Sequence, residues 1–481
     1  MSPPVEAHTS RSQLQKATDS LKALINDLQS EHKNVLPTES ELAAELGMGR
    51  NTVRKAIAEF EEKGLLERIR GKGTFITQQT RELTFSNWVS EEITSELFLS
   101  NAIGDFQDNH PDVSIREISI PYHAYLQKIL NLILNDQSPD IIQVTPFWLR
   151  RLQKLNIFTP ISGYVSQNII KRRYTTAIDL GKVNGELFAL NWALCPQVLY
   201  YNKVVMEEAG LDPDTPPKTM DELAEMSIKV NECQNENLHG FCMPTELFEY
   251  SFFDIYPLFL AFGGGFSDPI GNIIVDSEET IRALSWLKDF YKRGGVKKEN
   301  SVIGVRILFA SNHLAFMVDG PYGRGNFRQL SGMGKEFDKN YGVTTIPSGP
   351  NGRTESVMLT HGLAVSKYCR DPETAYSFIE RLSTDEIYAK YYFDEFGMIP
   401  CNRDLLHKPQ FIADPFASVF LKQLENITNG PIDHPLFFKA LPYFLQAVSN
   451  VVIHDHDPAE SLKLVKEIIN MIAQNDYLLF P

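Results

Sequence analysis

Residues 36–76 constrain the fold of this chain more than any other segment. They read LPTESELAAELGMGRNTVRKAIAEFEEKGLLERIRGKGTFI. Thr38, followed three residues later by Glu41, is a capping-box pattern for a helix, and Gly47 and Gly49 interrupt that helix. Apolar residues then recur at three- and four-residue steps, and two short β-type runs follow. The segment therefore predicts two helices joined by a tight turn, and then a β-hairpin, packed around one small core.

The helix that begins near Arg50 has a polar, basic start. Its expected buried positions are Val53, Ile57 and Phe60, so the basic start faces outwards, where a recognition helix contacts base edges and phosphates. The hairpin turn is basic and rich in glycine, as suits a wing on the DNA backbone or minor groove. The predicted DNA-binding residues are Thr38, Arg50, Asn51, Thr52, Arg54, Lys55, Arg70, Gly71, Lys72 and Gly73.

Exposed basic residues alone fit an ordinary solvated helix face equally well. The order of capped helix, glycine turn, basic helix start and basic hairpin favours DNA binding. With this order, residues 12–77 resemble the DNA-binding domain of the GntR family of bacterial repressors. The resemblance implies that Arg50, Thr52 and Arg54 read bases and that residues 70–72 form the wing. Ser40 departs from the pattern, because the family usually has an arginine there.

Charge is divided unevenly along the chain. The formal net charge is −15. Residues 1–80 hold 11 basic and 11 acidic side chains, whereas residues 81–481 hold 35 and 50. The larger part is therefore unsuited to binding DNA by itself. Because the smaller part is neutral, DNA affinity has to come from its local basic patches, and we expect a homodimer to add phosphate contacts.

The composition after residue 80 is that of a globular body. Hydrophobic residues make up 43% of the chain, and no stretch is apolar for long enough to cross a membrane. The first residues, MSPPVEAHTSRSQLQK, lack the apolar core of a signal peptide, so we expect a cytoplasmic protein with no membrane partner. The cysteines lack metal-type spacing and fit reduced thiols better than disulfides: Cys195, Cys233, Cys242, Cys369 and Cys401.

Strand-like and helix-like segments alternate between residues 83 and 144. This βαβαβ order predicts a mainly parallel sheet with a ligand site beyond the carboxyl ends of its strands. Several phrases then occur in one order: SPDII at 138–142, LYYNK at 199–203, PKTMDEL at 217–223, GGG at 263–265, MVDGPY at 317–322 and HGLAVS at 361–366. Together they resemble the extracellular solute-binding proteins of carbohydrate ABC importers, the maltose-binding type, over roughly residues 82–475. The resemblance implies two α/β lobes that close on a ligand.

The predicted fold class is thus α/β in two parts. Residues 1–79 form a small winged helix-turn-helix domain, and residues 80–481 form a two-lobed, periplasmic-binding-protein-like α/β domain of type II. A sugar cleft needs aromatic platforms and a few polar groups, although core packing is the commoner use of any single aromatic residue. The candidate ligand-binding residues are Trp88, Glu91, Phe147, Trp148, Trp192, Tyr256, Asp319, Tyr322 and His361, with Tyr322 where such importers commonly place a stacking tryptophan.

Other chemistry finds little support in the sequence. The run from His454 to Asp457 reads HDHD, which fits a solvated loop better than a metal site. No nucleophile stands at a suggestive spacing from a base, so we expect no catalysis and no cofactor.

The sequence therefore predicts a cytoplasmic bacterial regulator that binds a double-stranded DNA operator under the control of a small-molecule effector, with a sugar favoured. The alternatives are a regulator that senses an amino acid, a peptide or another solute, an ABC-importer receptor, and an aminotransferase-like regulator that holds pyridoxal phosphate.

Overall fold

The structure is a computed structural model that describes residues 6–30, 33–62, 65–77, 81–91, 96–245, 249–299 and 301–479. By internal packing the chain divides into two units. One comprises Met1–Leu83 with Gly104–Arg116, and the other comprises Thr84–Ile103 with Glu117–Pro481. The boundary after residue 79 stays a prediction.

The first unit opens with three helices and a hairpin, which we call the head: α1 (Glu6–Ser30), α2 (Glu39–Glu45), α3 (Arg50–Glu62), β1 (Leu66–Ile69) and β2 (Gly73–Ile76). All five elements contribute to one apolar core, which consists of Ala17, Leu21, Ile25, Leu36, Leu42, Val53, Ala56, Ile57, Phe60, Leu66 and Ile76. The predicted buried face of α3 is therefore confirmed. This packing presents the opposite face of α3, with its basic start, to solvent.

The capping box of α2 forms as predicted. The Glu41 backbone N–H donates to Thr38 Oγ1 at 3.4 Å, and the Thr38 backbone N–H donates to Glu41 Oε2 at 2.8 Å. The wing strands β1 and β2 are antiparallel. Gly71 and Gly73 take φ values of +78° and +123°, which favour glycine. Gly64, expected to end α3, lies outside the described residues.

The described residues after the head form two mixed sheets. The first has strand order β15-β8-β14-β5-β3-β4, with β16 paired to β14. Its strands are β3 (Arg81–Asn87), β4 (Val113–Ser119), β5 (Ile141–Val144), β8 (Ala189–Pro196), β14 (Ser356–Val365), β15 (Ile399–Pro400) and β16 (Ile427–Thr428). The second has order β11-β10-β12-β9-β13. Its strands are β9 (Val198–Asn202), β10 (His239–Pro244), β11 (Val296–Glu299), β12 (Leu314–Asp319) and β13 (Tyr341–Thr344).

Helices flank these sheets, and a two-stranded ribbon, β6 (Lys182–Val183) and β7 (Glu186–Leu187), precedes β8. The helices before β9 are α4 (Glu96–Asn109), α5 (Tyr122–Leu134), α6 (Pro146–Gln153), α7 (Gln167–Lys171) and α8 (Thr175–Leu180). Those between β9 and β14 are α9 (Lys203–Glu208), α10 (Met220–Asn231), α11 (Glu249–Ala261), α12 (Glu278–Lys292), α13 (Val302–Ala310) and α14 (Gly323–Leu330). The last are α15 (Pro372–Thr384), α16 (Glu386–Phe396), α17 (Arg403–Leu406), α18 (Pro409–Ile412), α19 (Pro415–Gln423), α20 (Phe437–His454) and α21 (Pro458–Leu479).

The chain crosses between the sheets at Gln197, which separates β8 from β9. Its backbone N–H donates to Val357 O at 3.0 Å, and Ser356 Oγ donates to Gln197 O at 2.7 Å. Val357 and Ser356 begin β14, onto which the chain returns from the second sheet. The two crossing segments thus hold each other by hydrogen bonds, and the sheets define two lobes joined by paired strands.

Strand direction differs in part from the expectation. The βαβαβ order is confirmed in its elements, and β3 and β5 are parallel. However, β14 is antiparallel to both β5 and β8, because the chain returns from the second lobe before it forms β14. A local pattern of strands and helices carries no information about this return. Among the described residues, no helix is long and apolar enough to cross a membrane.

Replacement of Thr38 by alanine should destabilise the head by about 1 kcal/mol, because the Glu41 N–H loses its capping acceptor. Amide hydrogen exchange on the full chain should show faster exchange in α2 and α3. Ser40→Ala in the same helix removes an exposed hydroxyl that does not cap, and should leave exchange unchanged. Equal protection in wild type and Thr38→Ala would contradict the assigned role.

Candidate functional site

The predicted DNA-binding residues lie on the surface of the head. Arg50 and Arg54 at the start of α3 are 61% and 52% exposed. Asn51 and Lys55 are also exposed, Thr52 is half-buried, and the wing residues Arg70, Gly71, Lys72 and Gly73 are exposed. Thr38 is exposed as well, but its hydroxyl already serves the capping box. The structure thus presents the basic start of α3 and the tip of the wing as sequence reasoning placed them.

An acidic residue organises the arginines of this surface. Arg54 donates to Glu39 Oε2 from Nε at 3.1 Å and from Nη2 at 3.0 Å. Arg68 Nη2 donates to Glu39 Oε1 at 3.0 Å, and Arg50 Nε lies 3.7 Å from Oε2. The hydrogen bond from Arg54 is the main cause that lowers the pKa of Glu39. We call Glu39, Arg50, Arg54 and Arg68 the arginine cluster.

Sequence reasoning missed Glu39 and Arg68. The sequence held a signal for Arg68. Side chains alternate along β1, so Arg68 lies on the same face of the strand as the buried Leu66, although the Arg68 side chain itself is 46% exposed. Glu39 carried no such signal. Its role depends on contacts with residues from 11 to 29 positions away.

The candidate ligand residues of the body are buried. Trp88, Phe147, Trp148, Trp192, Tyr256, Asp319, Tyr322 and His361 are each at most 6% exposed. Glu91 ends a 3₁₀ turn, and its side chain lies outside the described residues. Burial fits core packing and also fits a closed cleft, so the neighbours of each side chain have to distinguish the two.

Four of these residues join one aromatic cluster, the aromatic wall, made of Trp88, Trp148, His361, Trp192 and Tyr392. The Trp88 ring lies 5.3 Å from Trp148 and 5.1 Å from His361, and Trp192 stacks on Tyr392 at 4.6 Å. Trp88 and Trp148 follow the carboxyl ends of the neighbouring parallel strands β3 and β5. The wall therefore lies at the edge of the first sheet where ligands of α/β folds bind.

The polar groups of the wall are uncharged. His361 Nδ1 and the Tyr392 hydroxyl share a hydrogen bond of 2.6 Å, and burial lowers the pKa of His361 to about 3. The imidazole is therefore neutral near pH 7. A bulge in β14 falls between His361 and Gly362, opposite Trp192 of β8, and such bulges commonly redirect side chains beside functional sites.

Two buried N–H donors at the wall lack a hydrogen-bond partner among the described residues. They are Trp192 Nε1 and Gln143 Nε2. Gln143 belongs to β5, and its Oε1 accepts from the Trp88 backbone N–H at 3.2 Å. Buried donors without partners are costly. Sequence reasoning missed Gln143, although a glutamine in the otherwise apolar strand IIQV was a usable signal.

Phe147 and Tyr256 belong to a second aromatic group. Phe147 of α6 packs on Phe253 of α11 with ring centroids 4.6 Å apart, which joins the first lobe to the second. Tyr256 stacks on Phe252 at 4.3 Å, and its hydroxyl accepts from the Phe266 backbone N–H at 3.0 Å. Burial raises the pKa of Tyr256. Both residues therefore pack in an apolar core that includes the contact between the two lobes.

Asp319 and Tyr322 lie at the crossing rather than at the wall. Arg306 forms a bidentate pair with Asp319 at 2.8 and 2.9 Å, and its guanidinium lies 5.0 Å from the centre of the Tyr322 ring. Gln197 Nε2 donates to the Tyr322 hydroxyl at 2.7 Å. A sugar that stacked on Tyr322, as predicted, would therefore compete with the Arg306 guanidinium for the ring. The Asp319 carboxylate already accepts two hydrogen bonds from Arg306.

The HDHD run is exposed, with His454 as the last residue of α20 and the other three residues in the loop that follows. Asp455 takes φ +61° after α20, and its carboxylate lies 2.8 Å from Lys288 Nζ and 2.6 Å from Lys292 Nζ. Hydrogen bonds from these lysines lower the pKa of Asp455 to about 2. In the described part of the chain, no group of three or more histidine, cysteine, aspartate or glutamate side chains is arranged to hold a metal ion.

Comparison with known families assigns both parts of the chain. Residues 101–417 match the model of the bacterial extracellular solute-binding protein family. Residues 13–76 match the model of the gntR family of bacterial regulatory proteins. The first match covers more than half of the chain, and the second covers α2, α3 and the wing.

Individual relatives agree with the family models. The maltotriose-binding protein of Pyrococcus abyssi is 22% identical over 58% of this chain and 58% of its own length. The mannitol-binding protein of Pseudomonas aeruginosa is 23% identical over 70% of this chain and 77% of its own length. An ABC transporter solute-binding protein from Thermotoga lettingae, solved with α-D-tagatose, superposes with a TM-score of 0.73 at 19% identity, over 82% of this chain and 99% of that one. The chain belongs to the bacterial extracellular solute-binding protein family and carries, ahead of that body, a DNA-binding domain of the gntR family.

Proposed function

We propose that this protein is a cytoplasmic bacterial transcription regulator whose operator binding is controlled by a sugar held in the two-lobed body. The observation that carries the proposal is the covalent union of a head with an exposed basic recognition helix and a body of a solute-binding family. A receptor that only delivers solute to a transporter has no use for a DNA-binding head. The union therefore favours regulation over transport.

The head has the features that DNA binding requires. A short helix start with several basic side chains beside a basic wing gives phosphate contacts and base contacts from one face. The head carries little net charge, so one copy offers few phosphate contacts. We therefore propose a homodimer that places two heads on two half-sites.

The aromatic wall favours a neutral carbohydrate as effector. Sugar rings offer apolar faces to aromatic rings, and their hydroxyl oxygens accept hydrogen bonds. Trp192 and Gln143 supply buried N–H donors at the wall, and the neutral His361 adds no charge. Several relatives are named for maltotriose, mannitol and maltodextrin. An amino acid or a sugar phosphate would need charged partners, which the wall does not supply.

Neither matched family is typically enzymatic, and we propose a binding function without catalysis. Ligand closes the lobes because it contacts both and so has a higher affinity for the closed state. The contact between Phe147 and Phe253 and the bond between Gln197 and Tyr322 lie where such closure would change packing. Closure then alters the separation or orientation of the heads.

Arg54→Ala should weaken operator binding by about 1 to 3 kcal/mol and leave sugar affinity unchanged, because Arg54 lies only at the DNA-facing surface. Fluorescence anisotropy with operator duplex measures the first and calorimetry the second. Arg282→Ala is the matched control, since Arg282 is 55% exposed on α12 of the body. Equal weakening by both variants would remove Arg54 from the interface.

Trp192→Phe should lower sugar affinity roughly 3- to 10-fold, because one hydrogen bond to the ligand is lost while an aromatic ring stays. Trp286→Phe is the control, since Trp286 packs on Phe262 and Phe290 in the second lobe. Calorimetric titration measures both. Unchanged affinity in Trp192→Phe would exclude the indole N–H from the site.

A thermal-shift screen against neutral sugars, sugar acids, sugar phosphates, amino acids, peptides and pyridoxal phosphate tests the choice of effector, since a ligand of the folded state raises apparent stability. We expect stabilisation by neutral mono- or oligosaccharides. Stabilisation by amino acids or pyridoxal phosphate alone would contradict the sugar-sensing proposal.

A further inference from the structure

Glu39 contributes a carboxylate to the basic surface of the head that we propose to contact DNA. Its side chain is 16% exposed, and three guanidinium groups lie within 3.7 Å of it, from Arg50, Arg54 and Arg68. A negative charge there lowers the electrostatic attraction to DNA. Because the charge of Glu39 weakens non-specific binding, a different contribution of Glu39 to DNA recognition has to come from its contacts with the arginines.

The geometry of the Arg54 pair shows what that is. A guanidinium has five N–H donors in a fixed plane. Both bonds from Arg54 use its side edge, formed by Nε and Nη2, and both end on the same Glu39 oxygen. The end of the group, formed by Nη1 and the second N–H of Nη2, points away from the carboxylate. That end carries the pair of donors that matches O6 and N7 of guanine.

We propose that Glu39 is a positioning residue that fixes the Arg54 guanidinium for end-on reading of a guanine in the operator. This inference rests on the proposed DNA-binding function. Glu39 holds the long arginine side chain in one orientation before DNA arrives, so less rotamer freedom is lost on binding. The second oxygen of Glu39 accepts from Arg68 of β1, so Glu39 links the wing strand to α2 and, through Arg54, to α3.

The consequence is a division between affinity and specificity. Glu39 lowers attraction to every duplex because it is negative, and raises discrimination because it orients Arg54. A carboxylate that acted through charge alone would do only the first. Glu39→Gln separates the two effects, since glutamine keeps the size of the side chain but loses the charge and replaces one of the two oxygens, which face Arg54 and Arg68, with an N–H₂ donor that opposes a guanidinium.

The test uses the whole 481-residue chain. Wild type first selects duplexes from a random pool, and Kd values are then measured for the selected duplex, for that duplex with the Arg54-dependent guanine replaced, and for an unrelated duplex. We expect Glu39→Gln to reduce the ratio of unrelated to selected Kd about tenfold and to lose most of the preference for guanine at that one position. Glu45→Gln removes the same charge from α2 and should keep the ratio.

A double-mutant cycle gives the readout that a merely structural role would not move. If Glu39 acts through Arg54, the Glu39→Gln effect on discrimination should vanish in the Arg54→Ala background. The inference is overturned if Glu39→Gln tightens binding to all duplexes equally, leaves the ratio unchanged, or lowers it to the same extent without Arg54. Failure of wild type to enrich any duplex would instead overturn the DNA-binding function, and the inference with it.

Discussion

The shortness of the connection between head and body is the constraint on which coupling between ligand binding and DNA binding depends. The wing strand β2 ends at Ile76 and the first strand of the body, β3, begins at Arg81. Four residues separate them, so five steps along the chain limit the distance between the two strand ends to about 18 Å. The same strand β3 leads into Trp88 of the aromatic wall. Along the chain, the wall therefore follows the head by one strand and those four residues.

Local sequence signals predicted the parts of the structure that local forces decide. The capping box at Thr38, the buried face of α3 and the glycines of the wing depend on neighbours a few residues apart. Tertiary contacts decided the rest. The arginine cluster joins α2, α3 and β1, and Tyr322 meets Gln197 from 125 positions away. Strand β14 is antiparallel to its neighbours because the chain forms the second lobe between β8 and β14 and then returns to the first sheet. No periodicity within one segment encodes such contacts.

The candidate ligand residues illustrate the same division. Trp88 and Trp148 each follow a predicted strand, and in the structure their rings are 5.3 Å apart. They meet because the carboxyl ends of neighbouring parallel strands lie at the same edge of a sheet. The same criterion did not distinguish these residues from Asp319 and Tyr322. Arg306 pairs with Asp319 and Gln197 bonds to Tyr322 near the crossing between the lobes. Unpartnered buried donors are a sharper guide than aromatic identity, since each one costs free energy until an acceptor forms a hydrogen bond with it. Trp192 and Gln143 meet this criterion.

Ligand binding and DNA binding are proposed to be linked by one coupling free energy. Because thermodynamic linkage is reciprocal, this coupling can be measured from either site. Calorimetry with the sugar found by screening, in the absence and in the presence of saturating operator duplex, reports the coupling. We expect bound operator to change sugar affinity about 5- to 150-fold, by the same factor by which the sugar changes operator affinity. Identical sugar affinity with and without bound operator would contradict it, because the head and the body would then act independently.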